Sequence, residues 1–235
     1  MPRRKRGWID GACYHITHRC HNRAFLFRYK KYRQFYLRQL FEMQKRYRTD
    51  VLDYIVTSNH AHLLLTTSKG ERISEGLRYL HGRVAQFYNL QTGKSGAFWG
   101  DRFHSTLIQD GAHLGRCLFY IDLNMVRAKA VKHPSKWDAC AYHEFYKTKS
   151  KFRIVNIQRL LQVLSAGNIE QFRKWHTLTI NGMLKQELLK REIFWSKAFA
   201  VGDEEWLKAQ LRNSGIKRMT IRNSDQTSFA IGGNC

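Results

Sequence analysis

Two histidines one residue apart stand at the front of an apolar run, "NHAHLLL" at 59–65. If the run is a β-strand, His60 and His62 share a face, with Cα atoms about 7 Å apart. Two imidazoles at that separation can bind one metal ion, although they supply only part of a coordination shell. The motif is short, and two ordinary strand histidines, one hydrogen-bonded and one solvated, remain the alternative.

A predicted helix further along the chain, about 111–127, carries groups that could complete such a site. At 100° per residue, four polar side chains fall within about 40° of Tyr120, namely His113, Arg116, Asn124 and Arg127. The leucines of the helix lie on a separate face, so Tyr120 is not expected to fill the core. A phenol there could attack a phosphodiester, with a divalent ion on His60, His62 and the Asn124 oxygen polarising the phosphate. A plain surface tyrosine is the alternative interpretation.

The elements that must position these residues alternate between strands and helices. A strand at 12–19 is followed by a basic amphipathic helix at about 28–48, a hairpin of strands 51–57 and 60–67, a helix at about 71–90 and a strand at 102–109. Asp110 is expected to cap the helix that carries Tyr120. The order predicts an α+β fold, a ferredoxin-like split βαβ antiparallel sheet with helices on one face.

The amino-acid composition indicates which class of partner the protein binds. The 235 residues carry a formal net charge of +23 and a pI near 10.2, which favours a polyanion over a neutral metabolite. Residues 1–50 hold 14 Lys or Arg against three acidic residues. We expect no membrane partner and a cytoplasmic location, because no apolar run of membrane-spanning length or signal-peptide core is present. The five scattered cysteines are expected to be free thiols, without structural zinc.

Three motifs in the right order carry a family resemblance. "SNHAHLLL" (58–65), "GDRFHSTLI" (100–108) and "YIDLNMVRAKAV" (120–131) resemble the single-tyrosine His-hydrophobic-His transposases, and most closely the REP-associated tyrosine transposases of bacteria. "YHITHRCHNR" at 14–23 is similar to the first strand and turn of that family. The likeness covers about residues 8–133, and a weaker one continues in "REIFWSKAFAVGDEEWLKAQL" at 191–211.

The resemblance implies a role for each matching residue. His60 and His62 match the metal-binding pair, Asn124 the third ligand and Tyr120 the nucleophile. It implies Mg²⁺ or Mn²⁺ without a nucleotide cofactor, and cleavage of single-stranded DNA beside an imperfect hairpin through a 5′-phosphotyrosine bond. A bacterial, nucleoid-associated protein is implied as well. The basic residues become candidates for DNA contact: Arg3, Arg4, Lys5, Arg6, Arg19, Arg102, His104, Arg116 and Arg127.

The chain divides into four predicted segments. These are a basic arm at 1–10, a catalytic domain at 11–150, a helical extension at 151–215 and a flexible tail at 216–235. The extension could pack on the catalytic domain, occupy its cleft until DNA displaces it, or bind DNA itself. The added segment favours a monomer, with a dimer as the alternative.

Three functions of different class are compatible with the sequence. The first is the metal-dependent tyrosine endonuclease and strand transferase. The second is a nucleic-acid-binding protein that keeps the fold but does not cut. The third is a metal phosphoesterase in which water attacks and Tyr120 is incidental.

Overall fold

The computed structural model describes residues 7–147, 152–187, 189–214, 220–225 and 228–232. Its first half is an antiparallel sheet of β1 (Cys13–Arg19), β2 (Asp50–Val56), β3 (His60–Thr66) and β4 (His104–Ile108), in the order β2-β3-β1-β4. Helix α1 (Lys30–Tyr47) follows β1, and helix α2 (Glu71–Thr92) follows β3. This strand order and connectivity confirm the predicted ferredoxin-like split βαβ fold.

Helices α1 and α2 pack against each other and cover one face of the sheet. Each has an apolar stripe at helical spacing, and these stripes join Ile16 of β1 and Leu63 of β3 in one core. The stripe residues that are buried are Tyr32, Tyr36, Leu40 and Met43 of α1 and Ile73, Leu77, Leu80 and Val84 of α2. The periodicity of the sequence therefore predicts this layer correctly.

A third layer lies on the opposite face of the sheet. Helix α3 (Ala112–Asp122) is followed after one residue by the single turn α4 (Asn124–Arg127). Backbone bonds bridge the break, from Leu123 N–H to the Phe119 carbonyl at 3.0 Å and from Arg127 N–H to the Leu123 carbonyl at 2.9 Å. Helices α1 and α2 lie on one face of the sheet, as predicted, and α3 adds a helix on the other face.

The structure corrects the predicted N-cap of α3. Gly111, not Asp110, is the N-cap, and no side chain caps the helix. Gly111 has φ 76°, a backbone conformation that glycine adopts without a steric penalty. The Asp110 carboxylate instead contacts the Cys13 thiol.

The C-terminal extension adds helices and a short strand. Helix α5 (Tyr142–Tyr146) lies at the end of the predicted catalytic domain. The helices of the extension are α6 (Ile157–Val163), α7 (Ile169–Lys185) and α8 (Glu204–Ser214), with a 3₁₀ turn at Ile193–Ser196. Helix α7 buries His176 and Ile180 on its inner face. The His176 Nε2 lies 2.8 Å from Asp122 Oδ2, and both side chains are fully buried.

Three strands extend the sheet beyond β4. Strand β5 (Ala200–Gly202) pairs parallel with β4, and β7 (Ser228–Gly232) and β6 (Thr220–Asp225) follow in antiparallel pairing, giving seven strands in the described residues. Residues 220–225 and 228–232 of the predicted flexible tail form these two strands, and the rest of 216–235 lies outside the described residues. The exposed backbone groups along the edge of β5 give β7 hydrogen-bond partners that composition does not reveal.

Two expectations from composition can be compared with the structure. No helix in the described ranges is long and apolar enough to cross a membrane. The four cysteines within those ranges, Cys13, Cys20, Cys117 and Cys140, are buried free thiols, as predicted.

Candidate active site

Side chains from β3, α3 and α4 meet in one cleft of about 670 Å³. His60 and His62 project from β3, with ring centroids 4.8 Å apart. The Tyr120 ring of α3 lies 5.9 Å from the His62 ring, and Asn124 and Arg127 of α4 line the same cleft. The strand alternation and the helical wheel together account for this convergence, since each places its polar residues on one face.

Hydrogen bonds fix which nitrogen of His60 carries the proton. The Asn59 amide nitrogen donates to the Arg23 carbonyl at 3.0 Å, so the Asn59 oxygen is the atom 2.6 Å from His60 Nδ1. An oxygen can only accept, and His60 Nδ1 therefore carries the proton, which leaves Nε2 with a lone pair. Burial, with the neighbouring Arg19 as the next cause, lowers the pKa of His60 to about 3.

His62 is more deeply buried, with 3% of its surface exposed. Its Nδ1 lies 2.8 Å from Nε2 of His15, and its Nε2 lies 3.1 Å from Asn124 Nδ2. Burial is the main cause that holds the pKa of His62 well below its usual value, and the charges of His60 and His15 add to it. Both histidines are consequently neutral at pH 7, the form that binds metals.

The donor set fits a divalent ion. Among the described residues, no cluster of three or more His, Cys, Asp or Glu could bind a metal, so a site here would need Asn124 beside the two imidazoles. The Asn124 amide nitrogen now faces His62 Nε2. A rotation of the amide group would put its oxygen in that place. The two imidazole nitrogens are ligands typical of divalent transition metals, whereas the amide oxygen, together with water or phosphate oxygens, supplies the oxygen ligands that Mg²⁺ and Mn²⁺ prefer.

Tyr120 is 5% exposed, more buried than a surface tyrosine would be. The Arg127 guanidinium carbon lies 4.2 Å above its ring, and Arg127 Nη2 donates to the Tyr120 carbonyl at 2.6 Å. Burial lowers the pKa of Arg127, but a guanidinium keeps its charge at neutral pH. A permanent positive charge therefore lies directly beside the phenol.

The C-terminal extension packs on the catalytic domain and lines the cleft, a choice among three arrangements that the sequence leaves open. Trp195 is fully buried, and its ring centroid is 6.2 Å from that of Tyr120. Leu189, Arg191, Ile193 and Lys197 also line the cleft. The likeness of 191–211 to longer family members marks this segment, but gives no indication of where it packs.

The remaining predicted residues divide into three groups. Arg19, Arg102 and His104 line the cleft, and Arg23 joins them without having been predicted. Arg116 lies on α3 but pairs with Glu192 of the extension at 3.2 Å and is not part of the cleft lining. Arg3, Arg4, Lys5 and Arg6 lie outside the described residues.

A ferredoxin-like sheet with a His-x-His strand and a facing tyrosine in a basic cleft points to the class of DNA transposases. The family model described as "Transposase IS200 like" matches residues 9–124, about half of the chain. Through these residues the chain belongs to the IS200-like transposase family, whose members are DNA transposases.

Structural comparison supports the fold. A solved structure of a REP-associated tyrosine transposase bound to a REP hairpin gives a TM-score of 0.52 at 20% identity, over 61% of this chain and 84% of that one. A crystal structure of a proposed transposase from Deinococcus radiodurans R1 gives a TM-score of 0.37 at 13% identity, over 55% and 98%, a similarity too low to inform the fold. No curated protein matches the chain.

Proposed function

We propose that the protein is a metal-dependent endonuclease and strand transferase that cuts single-stranded DNA through a phosphotyrosine bond on Tyr120. The observation that carries the proposal is the convergence of His60, His62, Tyr120 and Asn124 in one cleft. A phosphate in this cleft would lie next to a nucleophile, to a candidate metal-binding set and to the guanidinium of Arg127.

In the proposed reaction, the Tyr120 oxygen attacks phosphorus and the bond from phosphorus to the 3′-oxygen breaks. The products are a 5′-phosphotyrosine and a free 3′-OH, and the proton lost by the phenol is balanced by the one that the 3′-oxygen gains. Arg127 stabilises the charge that develops on the phosphate. Because the new bond retains the ester energy, rejoining to a 3′-OH needs no nucleotide cofactor.

His60, His62 and the Asn124 oxygen would hold the metal, Mg²⁺ or Mn²⁺. When bound, the ion polarises the scissile phosphate as a Lewis acid. The fixed Nδ1–H of His60 supports this assignment, because it leaves Nε2 as the metal-binding atom.

The proposed substrate is DNA with an imperfect hairpin. The solved relative was described bound to a REP hairpin, and the cleft of this chain holds Arg19, Arg23, Arg102 and Lys197 within reach of a phosphate backbone. All the proposed active-site groups come from one chain, which supports a site complete in a monomer. Light scattering with and without DNA tests that point.

One experiment separates the proposed function from its alternatives. The protein is incubated with 5′- or 3′-labelled hairpin-bearing single-stranded DNA and Mn²⁺ or Mg²⁺, and then run on a denaturing gel. We expect a covalent adduct that carries the 3′ label, because Tyr120 would be joined to the 5′-phosphate of the fragment on the 3′ side of the break. This adduct should be absent with chelator and with Tyr120→Phe. The matched control is Tyr146→Phe, a tyrosine of α5 outside the cleft, which should retain the adduct.

Each alternative predicts a different gel. Cleavage without an adduct that survives Tyr120→Phe would favour attack by water. Salt-sensitive binding without any cleavage would favour a protein that only binds nucleic acid.

A further inference from the structure

His15 connects the candidate metal-binding histidine to the C-terminal extension. It lies on β1 between Leu64 of β3 and Thr106 of β4, and its side chain is fully buried. Its Nε2 is 2.8 Å from His62 Nδ1, and its Nδ1 is 2.7 Å from the carbonyl oxygen of Trp195. The two imidazole rings are stacked, with centroids 5.0 Å apart and an interplanar angle of 11°.

The direction of these hydrogen bonds follows from the one atom whose role is fixed. The Trp195 carbonyl oxygen can only accept, so His15 Nδ1 carries a hydrogen and donates it. A neutral imidazole has one N–H, and His15 Nε2 must then accept a hydrogen from His62 Nδ1. This leaves the lone pair of His62 on Nε2, the atom that faces Asn124 at 3.1 Å.

The surroundings of His15 keep it neutral. Its side chain is fully buried, and the hydrogen-bond partners of its two ring nitrogens are uncharged groups, so a positive charge on this ring would be costly. A doubly protonated His15 would donate from Nε2 and force His62 into the opposite tautomer, with its lone pair turned away from the cleft.

We propose that His15 is a positioning residue that holds His62 in the tautomer with a free Nε2 lone pair, and that the Trp195 carbonyl of the extension fixes His15. The consequence for metal binding rests on the proposed function, whereas the tautomer of His62 does not. An outer partner that orients a metal-binding histidine in this way commonly changes metal affinity by about 10- to 100-fold when it is removed.

The proposal gives the extension a part in the site. The Trp195 carbonyl also accepts from Thr106 Oγ1 at 3.1 Å, and Thr106 Oγ1 lies 2.8 Å from the Ala198 carbonyl. The extension therefore retains hydrogen bonds to the sheet when His15 is replaced. Replacing His15 should therefore change the tautomer of His62 while the extension stays docked.

Nitrogen-15 NMR of histidine-labelled, metal-free protein tests the tautomer directly. The His62 signals are assigned by their loss in His62→Gln. We expect His62 in the wild type to be protonated at Nδ1 and bare at Nε2, and to be a mixture of tautomers in His15→Leu. His15→Gln should restore the wild-type signals, because an amide can accept from His62 and donate to Trp195.

Mn²⁺ titration by calorimetry tests the consequence. We expect His15→Leu to weaken Mn²⁺ binding about 10- to 100-fold, and His15→Gln to recover most of the loss. Thr106→Val is the matched control. It removes the hydrogen bonds from Thr106 to the carbonyls of Trp195 and Ala198 but leaves the contact between His15 and His62 in place. Circular dichroism confirms that each variant is folded.

Three results would overturn the proposal. They are a wild-type His62 protonated at Nε2, unchanged Mn²⁺ affinity in folded His15→Leu, and an equal loss of affinity in Thr106→Val. A wild type with the inferred tautomer but without Mn²⁺ affinity or DNA cleavage would count against the proposed function and leave the role of His15 in the tautomer intact.

Discussion

Arg127 places a cation over the ring of the proposed nucleophile, Tyr120. The guanidinium carbon lies over the ring, 4.2 Å from its centroid, while one guanidinium nitrogen donates to the backbone carbonyl of the same residue. A lysine has no planar group that could do both, so the position discriminates between two residues of equal charge. The orientation of Tyr120 therefore depends on the shape of this side chain as well as on its charge.

We expect Arg127→Lys to reduce the single-turnover rate of adduct formation at least about 10-fold, a loss typical for removing one oriented charge contact. The measurement is a time course of the Tyr120 adduct with excess enzyme. Arg116→Lys is the matched control on the same helix face, since Arg116 binds Glu192 outside the cleft lining. Equal losses in the two variants would show that the contact between Arg127 and Tyr120 has no special role.

At the level of elements, the sequence predicts the first half of the chain better than the second. Alternation along β1 and β3 and the stripes of α1 and α2 follow from burial on one side, so residue types reveal them. The extension docks through buried side chains and also through backbone carbonyls: those of Trp195 and Ala198 accept from His15, His104 and Thr106. Every residue has a backbone carbonyl, so the sequence does not indicate which carbonyls will accept hydrogen bonds from the sheet.

The same difference explains the partial prediction of the site. His60, His62, Tyr120 and Asn124 have informative side chains at informative spacings, and the structure brings them together. His15 stands in a strand whose alternation already accounts for it, and its second role appears only once the Trp195 carbonyl is in place. Tyr120 is buried rather than exposed for the same reason, because the extension covers it.

We expect Trp195→Ala to lower the free energy of unfolding by about 3–5 kcal/mol, because it removes a fully buried indole and leaves a cavity. It also removes the 2.7 Å hydrogen bond from the indole N–H to Glu192. Urea denaturation followed by circular dichroism gives the value. Trp175→Ala is the control, a tryptophan that is 41% exposed, and its loss should be clearly smaller.

The whole molecule presents one basic cleft to a polyanion. Among the described residues, one acidic side chain lines this cleft, Asp101, against six cationic ones. The cationic residues are Arg19, Arg23, Arg102, Arg127, Arg191 and Lys197. Arg127 stands at the end of the predicted helix that carries Tyr120, and Arg191 and Lys197 belong to the C-terminal extension. The cleft charge is thus built by segments far apart in the chain.

Salt dependence of DNA binding tests the role of this charge. We expect Arg102→Gln, which removes an exposed cation of the cleft, to reduce the slope of log K against log salt by about 0.7, the value for one contact to a single strand. Fluorescence anisotropy with labelled hairpin DNA at several salt concentrations measures it. Lys174→Gln on the exposed side of α7 is the control and should leave the slope unchanged.

Buried neutral histidines make the stability of the whole chain sensitive to acid. Burial lowers the pKa of His15 to about 4 and holds that of His81 well below its usual value. In the unfolded chain a histidine titrates near pH 6.5. As pH falls below about 6.5, the unfolded state binds protons that the folded state does not, so the free energy of unfolding decreases. The contribution of His15 levels off below its folded pKa of about 4.

At pH 5, His15 alone should reduce the free energy of unfolding by about 2 kcal/mol relative to pH 7. Urea unfolding of the metal-free protein at pH 7, 6 and 5 measures the change. His81→Leu, on the opposite face of the sheet, should show a smaller loss between pH 7 and 5, because one buried histidine is gone. His21→Gln, at an exposed position, should follow the wild type. A free energy of unfolding that stays constant over this range would contradict the burial of these histidines in their neutral form.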